Sequence, residues 1–400
     1  MYSSINTPKK AIALVMAYIL IATMIVAGGA QLASVTSDFK STYRTSFIEQ
    51  AFWQAEAGLV RARLALVNEE LDTWQTDEEG SYVLSYVSGQ NSYSVTVTGV
   101  PGDYVIESTG RVSLAGGAQE FTKTLTLNAV TPSVFQFAAF ADDSMIVNSN
   151  AHTYSYNSSI DPGAAVTGAN GSIGTNGLLI ILNSNAQING SVGTGEGGSV
   201  TQGANVTVTG EITHDVDMEL PEVDIPASVL SAVSLGNVNV NTGTSLVWPA
   251  NSVIKLSNLN INSNADLTIG AGSVIYITGG MNMNSNSEIN ILGDVEFYID
   301  GSFNLNSNGM MNLTQVPANL KVNATGGTGQ NVNFNSNSDF YGVLYAPEAT
   351  VMINSNADIY GSIVGRTITF NSNGDVYYDE TLGLLAGYGS GYIFVNWNEE

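Results

Sequence analysis

The tripeptide Asn-Ser-Asn recurs eight times in this chain, and its spacing constrains the fold more than any other feature of the sequence. Three successive copies are 22 residues apart, and the last two gaps are 19 and 17 residues. A variable repeat of about 20 residues is the period of a solenoid, in which each coil buries its core against its neighbours. We expect the longer gaps to hold whole coils, about four in the gap of 79 residues and about two in the gap of 35. The copies start at positions 148, 183, 262, 284, 306, 335, 354 and 371.

The residues that flank each copy are equally regular. An apolar residue precedes every copy, and in seven copies a second apolar residue follows six positions later, whereas the first copy has Thr153 there. Asn tolerates the left-handed backbone conformation of a tight corner, and its amide can stack on the same residue one coil away. We therefore predict that each tripeptide is a corner between two strands whose flanking apolar side chains point inward. These side chains are Val147, Leu182, Ile261, Met283, Leu305, Phe334, Ile353 and Phe370, and then Ile188, Leu267, Ile289, Met311, Phe340, Ile359 and Val376.

The unequal coil lengths favour a right-handed parallel β-helix over residues 132–380, because left-handed helices repeat a strict hexapeptide pattern. The spacing predicts about 11 coil intervals between positions 148 and 371, or ~53 Å at ~4.8 Å per coil. Ladders of Asn could also form a surface for ice or a glycan. Corner ladders need no ligand to explain them.

The N-terminal region predicts a membrane segment. From Ala11 to Ala30 only Thr23 is polar, and about 20 apolar residues span the hydrocarbon core of a bilayer. Lys9 and Lys10 precede this run, so the positive-inside rule places the predicted leader, residues 1–11, in the cytoplasm and the bulk of the chain outside it. A cleaved secretory signal and a plain signal anchor are the alternatives.

The apolar pattern continues as a helix beyond the membrane segment. Residues 31–57 contain neither Gly nor Pro, and apolar residues recur there at four-residue steps. We predict one helix over residues 12–72, with a bend or unwound turn at Gly28-Gly29. Residues 80–131 then predict a small antiparallel sheet, and residues 381–400 a strand with aromatic residues that caps the last coil. The fold class is therefore mainly β, with a long N-terminal α-helix.

Charge and composition exclude several classes of function. Asp and Glu outnumber Lys and Arg by 35 to 11, giving a formal charge of -24, which disfavours binding to nucleic acid. The chain has no Cys, so disulfides and thiolate metal sites are excluded. We expect no cofactor.

The residues that a hydrolase or lyase would need are scattered. Residues 141–380 contain only three basic residues, Lys255, Lys321 and Arg366, far apart in sequence. Asp142-Asp143 and Asp379-Glu380 are adjacent carboxylates, and neighbours along a strand point to opposite faces. We therefore expect the protein not to be an enzyme.

Metal-binding residues give only a weak signal. His152 and His214 are too far apart in sequence to form a motif. Asp215, Asp217 and Glu219 are weak calcium candidates because hard carboxylate oxygens in a flexible loop can bind Ca²⁺. The loop lacks the Gly turn of an EF-hand, so a solvated acidic loop is the simpler interpretation.

Two sets of residues resemble a known family. Lys9-Lys10-Ala11-Ile12 with the apolar run, and then Ala51-Phe52-Trp53-Gln54-Ala55-Glu56-Ala57-Gly58-Leu59, resemble the N-terminal module of PilX-type type IV pilus assembly proteins, which are minor pilins or pseudopilins. Shorter strings over residues 135–398 resemble the C-terminal region of the same proteins. They include Phe340-Tyr341-Gly342-Val343-Leu344-Tyr345-Ala346-Pro347 and Ile359-Tyr360-Gly361-Ser362-Ile363-Val364-Gly365.

This resemblance implies a noncatalytic part of a pilus or related secretion filament in the bacterial cell envelope. It implies cleavage by a prepilin peptidase between Ala11 and Ile12, and packing of the helix among other pilin-like subunits. Glu56 is then a candidate contact to a neighbour, although an exposed ion pair with Arg61 or Arg63 is the simpler account. The alternative function is a membrane-tethered surface adhesin, with a single-pass inner-membrane anchor, that never joins a filament.

Overall fold

The computed structural model describes residues 8–68, 70–100, 102–114, 119–160, 168–385 and 391–399. The chain divides into two compact units, one formed by Met1–Val130 with Tyr392–Glu400 and the other by Thr131–Gly391. The protein is mainly β, with one long N-terminal helix and one large, mostly parallel sheet.

Helix α1 (Pro8–Val67) is continuous over 60 residues. It passes through Gly28-Gly29 without a break, so the predicted unwound turn is absent from the structure. Two glycines cost an isolated helix about 1 kcal/mol each, which the flanking turns of good helix formers offset. The helix ends at Val67, and a short 3₁₀ helix follows at Leu71–Thr73.

The first unit also contains an antiparallel meander. Its strands pair in sequence order, and the second half of α1 packs on three of them. Apolar residues at alternate positions point to the helix, as Val95 and Val97 do, both fully buried. The strands are β1 (Gln75–Thr76), β2 (Tyr82–Ser88), β3 (Asn91–Val100), β4 (Asp103–Ser113) and β5 (Glu120–Val130).

The second unit is built on a sheet of 25 strands. Three short strands separated by corners make one coil over most of its length. The strands are β6 (Ala139–Val147), β7 (His152–Tyr156), β8 (Ile173–Thr175), β9 (Leu179–Leu182), β10 (Gln187–Ile188), β11 (Val192–Gly193), β12 (Ser199–Gln202), β13 (Thr207–Val208), β14 (Ile212–Thr213), β15 (Asn237–Val240), β16 (Ser245–Trp248), β17 (Val253–Leu256), β18 (Asn258–Ile261), β19 (Asp266–Ile269), β20 (Ser273–Ile277), β21 (Met281–Met283), β22 (Glu288–Ile291), β23 (Val295–Ile299), β24 (Phe303–Leu305), β25 (Met310–Met311), β26 (Leu320–Ala324), β27 (Asn331–Phe334), β28 (Asp339–Ile353), β29 (Asp358–Phe370) and β30 (Asp375–Asp379).

Every third strand pairs in parallel along this sheet. β15, β18, β21, β24 and β27 form one such series, and β16, β19, β22 and β25 form the next. We call residues 139–379 the parallel stack. Helix α2 (Ala227–Leu230) and the 3₁₀ helices Pro317–Asn319, Gly327–Gly329 and Glu380–Leu384 interrupt or border it.

The coils do not follow one another in sequence order. The chain enters the middle of the stack at β6 and coils outward to β14, and residues 214–236 then cross to the opposite end, where β15 begins. From β15 the chain coils back until β29 and β30 pair with β6 and β7. We call the junction of β29 and β30 with β6 and β7 the seam.

This order corrects the interpretation of the long gaps. Asn183 Nδ2 donates to Asn148 Oδ1 at 2.7 Å, so these two corners lie on adjacent coils. The gap of 35 residues is therefore one coil that contains an insertion, and not two coils. The gap of 79 residues contains the crossing segment in place of a run of four coils. The tripeptides therefore stack in the order 262, 284, 306, 335, 354, 371, 148, 183, which is seven steps, or ~34 Å at ~4.8 Å each.

The corners themselves are as predicted. The third residue of all eight tripeptides is left-handed, with φ between 55° and 60°. All fifteen flanking apolar residues are fully buried, as is Thr153, whose hydroxyl donates to the Gly171 carbonyl. The inward assignment is therefore confirmed. The left-handed residues are Asn150, Asn185, Asn264, Asn286, Asn308, Asn337, Asn356 and Asn373.

The crossing segment, residues 214–236, is not the solvated loop that its charge suggests. In its first half Val216, Met218, Leu220 and Val223 are partly buried and pack against the core of the stack, whereas the acidic residues between them are exposed. The Tyr345 hydroxyl donates to the Pro221 carbonyl at 2.6 Å, and Lys255 Nζ donates to the Leu230 carbonyl at 2.8 Å. An apolar–acidic alternation from Val216 to Leu220 was the available signal for an extended segment with one buried face.

The C-terminal strand β31 (Ile393–Glu399) belongs to the first unit, where it pairs antiparallel with β5. Lys123 Nζ lies 2.9 Å from a carboxylate oxygen of Glu399. The prediction that residues 381–400 cap the last coil is therefore wrong for this strand. The last coil in sequence needs no cap, because the seam covers it with β6 and β7.

Candidate functional site

The exposed half of α1 is the first candidate site. All residues from 14 to 46 are exposed, among them large apolar side chains such as Ile25, Val26 and Phe39, each about 70% exposed. In the described part of the chain, one helix is long and apolar enough to cross a membrane, and it is this one. The predicted cleavage position, Ala11-Ile12, lies within α1, and residues 1–7 of the predicted leader lie outside the described residues.

The other half of α1 uses small residues to approach the sheet. Ala51, Ala55 and Ala62 are fully buried at helical spacing, and Leu59 is buried beside them. A Cβ on Gly58 would overlap the Ser108 hydroxyl, and that hydroxyl donates to the Ala55 carbonyl at 2.7 Å. The Ala-x-x-x-Ala-Glu-Ala-Gly-Leu string is therefore a helix–sheet packing element in this chain.

Gly110 of β4 is the matching position in the sheet. A Cβ there would overlap the Ala51 carbonyl oxygen and the Ala55 nitrogen, which are both backbone atoms and cannot rotate away. Close contact of the two backbones is what the small residues permit.

Glu56 forms no ion pair within the described residues. Arg61 pairs with Glu70 at 3.7 Å, and the Arg63 guanidinium lies 4.6 Å from the centroid of the Phe394 ring. The expected pairing of Glu56 with Arg61 or Arg63 is therefore wrong. Its carboxylate is left on the partly exposed side of the helix.

The second candidate site is a row of stacked tyrosines that crosses the seam, which we call the tyrosine row. The Tyr341 and Tyr360 ring centroids are 4.3 Å apart, those of Tyr360 and Tyr377 4.7 Å, and those of Tyr377 and Tyr154 5.5 Å. In each pair the ring planes are nearly parallel, at angles of 8°, 12° and 13°. The register of β28, β29, β30 and β7 aligns these residues in one column. The row was not predicted from the sequence, although each of its four tyrosines lies six residues after the start of a tripeptide. Only the stacking of Tyr154 on Tyr377 requires the seam.

A row of carboxylates runs beside the tyrosines. Asp339, Asp358 and Asp375 occupy one column of the sheet, and His152 ends it across the seam, with Nδ1 3.0 Å from Asp375 Oδ1. Burial, followed by the charges of Asp375 and Asp339, raises the pKa of Asp358 to about 7. Burial also raises the pKa of Asp339 and, against the opposing effect of His152, that of Asp375.

The tyrosines are held in their neutral form. Burial and the Asp339 charge raise the pKa of Tyr341 to about 12, and burial raises the pKa of Tyr360 and Tyr377 as well. Tyr156 lies edge-on to Tyr360, and its buried hydroxyl makes no hydrogen bond within the described residues. Each ring in the middle of the row covers its neighbours' faces, so the row offers edges and hydroxyls, not a flat face, to a ligand.

The predicted calcium candidates are not assembled into a metal site. Among the described residues, no group of three or more His, Asp or Glu side chains could hold a metal ion. Asp215, Asp217 and Glu219 lie on the exposed edge of the crossing segment. His214 Nδ1 is 2.7 Å from the Thr194 hydroxyl, far in sequence from His152.

The adjacent carboxylate pairs have structural partners. Asp379 is fully buried and accepts hydrogen bonds from the Ser158 hydroxyl at 2.6 Å and the Ser158 nitrogen at 3.1 Å. Glu380 accepts from the Ser155 hydroxyl at 2.7 Å. Asp142 accepts from Asn176, and Asp143 lies 3.8 Å from Arg366. These groups tie the seam and the insertion together.

Comparison with known proteins adds two similarities. Residues 254–384 match the model of a domain of unknown function, DUF7305. The structure has similarity to the crystal structure of the competence-associated pilin ComZ from Thermus thermophilus, with 13% sequence identity, a TM-score of 0.28, and coverage of 88% of this chain and 98% of that chain. No curated protein matches the sequence.

Proposed function

We propose that this protein is a noncatalytic component of a type IV pilus or a related secretion filament, of the PilX type. The observation that carries the proposal is the division of α1 into an exposed apolar half, residues 14–46, and a half packed on an antiparallel sheet through Ala51, Ala55 and Gly58. A tether needs only hydrophobic length, whereas this helix also carries a small-residue face that holds a folded unit against it.

In this proposal α1 anchors the chain in the inner membrane of a bacterial envelope and packs against other pilin-like subunits. Prepilin peptidase cuts between Ala11 and Ile12. The parallel stack is a right-handed β-helix that is displayed outside the membrane and does not bind nucleic acid. The formal charge of -24 supports the last point, since a phosphate backbone would be repelled.

Two features support a noncatalytic role. The carboxylates that the sequence offers as acid–base pairs are bound to Ser158, Ser155, Asn176 and Arg366, as described above. The tyrosine row is made of neutral phenols, which are poor nucleophiles near neutral pH.

Mass spectrometry of the mature N-terminus tests the proposal. Cells that make the prepilin peptidase should yield a chain that begins at Ile12, and cells without the peptidase should retain the uncut form. An uncut chain in both strains would favour the membrane-tethered adhesin instead.

A further inference from the structure

The two ends of the parallel stack are open strand edges. At one end, β15 and β16 pair on one side only, with β18 and β19. At the other end, β12 and β13 pair on one side only, with β9 and β10. Within the described residues no other strand lies against these edges. We call them the β15 end and the β12 end. Exposed edges of this kind accept a strand from another chain.

The strands at the two ends carry little charge, although the exposed Glu211 lies directly before β14 in the coil of the β12 end. Residues 225–265 contain no Asp or Glu and one basic residue, Lys255, and residues 197–210 contain no charged residue at all. The rest of the chain carries a formal charge of about -25, so two copies repel each other least where these ends meet.

The asparagine ladders give the stack a direction. Asn260 Nδ2 donates to Asn239 Oδ1 at 3.0 Å, and Asn205 Nδ2 donates to Asn185 Oδ1 at 3.1 Å. In every Asn–Asn hydrogen bond between coils, the donor lies on the coil nearer the β12 end.

The asparagines at the two ends therefore present different atoms. At the β15 end the exposed Asn237 and Asn239 use their Oδ1 atoms inside the stack and keep Nδ2 donors for a partner, within the described residues. At the β12 end the exposed Asn205 uses Nδ2 and, within the described residues, keeps its Oδ1 acceptor, but it precedes β13 and lies in a different column from Asn237 and Asn239. A pairing of two β15 ends would instead face donor with donor.

We propose that the β12 end of one copy docks on the β15 end of a second copy, so that the parallel stack continues from chain to chain. The column of paired residues that contains Thr201 at one end contains Asn239 at the other. Thr201 of one copy therefore faces Asn239 of the next. The partly buried Val200 and Val238, which share the next inward column, become covered.

This contact is heterologous, since it joins two different surfaces. Repetition of the contact forms an open filament of copies, unless the rotation between copies closes them into a ring. The proposal does not depend on the pilus function. A chain anchored in a membrane or a filament could use it equally.

Charge reversal at the facing positions tests the proposal on the full chain in detergent. The double variant T201D/N239D places carboxylates opposite each other, and we expect its self-association constant to weaken at least about tenfold in sedimentation experiments. The variant T201K/N239D places opposite charges there and should restore association. Asn331→Asp, an exposed Asn on β27 away from both ends, is the matched control.

Circular dichroism that matches the unmodified chain shows that the variants fold, because all three positions are exposed. Association that is equal in T201D/N239D and the unmodified chain would place the contact elsewhere, for example on α1, and overturn the proposal. An unmodified chain that stays monomeric would also overturn the proposal. So would a T201K/N239D variant that associates as weakly as T201D/N239D, which is the result expected when two β15 ends meet.

Discussion

Asn148 and Asn371 are 223 residues apart in sequence, and the Asn148 side-chain amide donates to the Asn371 side-chain oxygen at 3.2 Å. This hydrogen bond crosses the seam, where the first coil of the parallel stack meets the last. Tyr378 reinforces it by donating from its hydroxyl to the Phe135 carbonyl at 2.9 Å. The stack is therefore continuous in space although the chain that builds it is not.

The inward orientation of the apolar residues that flank each corner predicts very different losses of stability at two neighbouring positions. Ile353 is fully buried, and Ile353→Asp should destabilise the second unit by several kcal/mol because the new carboxylate has no partner. Ser355 is exposed at the corner, so Ser355→Ala should change the free energy of unfolding by less than about 0.5 kcal/mol. Urea denaturation measures both. Similar losses in the two variants would contradict the inward assignment.

The carboxylate row predicts a stability that falls as pH rises. The pKa of Asp358 is raised from 3.8 to about 7, so the folded state holds a proton that the unfolded state releases. The stabilisation is complete below about pH 4 and is lost as pH rises through about 7. Asp358→Asn should remove this part of the pH dependence and stabilise the chain by on the order of 2 kcal/mol at pH 8.

Denaturation at a series of pH values checks this prediction. The groups that face Asp358 are Asp339 and Asp375 on the neighbouring strands, with His152 beyond Asp375. Asp266→Asn, at an exposed position of the same column, is the control and should leave the slope unchanged. An identical pH profile for Asp358→Asn and the unmodified chain would show that this carboxyl does not hold the proton.

The contact between α1 and β4 predicts that a single methyl group is too large at Gly110. Gly110→Ala should cost on the order of 2–3 kcal/mol, since the new Cβ meets backbone atoms of the helix. Gly29→Ala adds the same methyl where no atom lies within 4 Å, and it should be neutral or slightly stabilising. Thermal unfolding of both variants compares them, and equal melting temperatures would argue against close helix–sheet contact.

The exposed apolar half of α1 predicts different outcomes for a filament subunit and a tether. Replacing residues 12–34 by an unrelated spanning helix preserves hydrophobic length but removes the small residues that allow close helix contact. Under the proposed function, the swapped protein should remain in the membrane and be absent from sheared filaments. Immunoblots of sheared and membrane fractions measure this, and unchanged filament content would leave the tether as the better account.

The sequence by itself determined the local features of this protein. The left-handed corner depends on Asn tolerating positive φ, and the burial of the flanking apolar residues depends on a period of two along short strands. Both features are determined by a few adjacent residues. The length and apolar content of α1 are local in the same sense. These predictions needed no knowledge of what the corners pack against.

Only the tertiary structure decided which coils are neighbours. Any coil with this corner can stack on any other, so the repeat cannot specify that position 371 meets 148, or that residues 214–236 cross to the far end. Pairing of β31 with β5 likewise depends on which edge is free in space. The Tyr154–Tyr377 and Asp375–His152 contacts follow from the seam, because they join residues that only long-range strand pairing brings together.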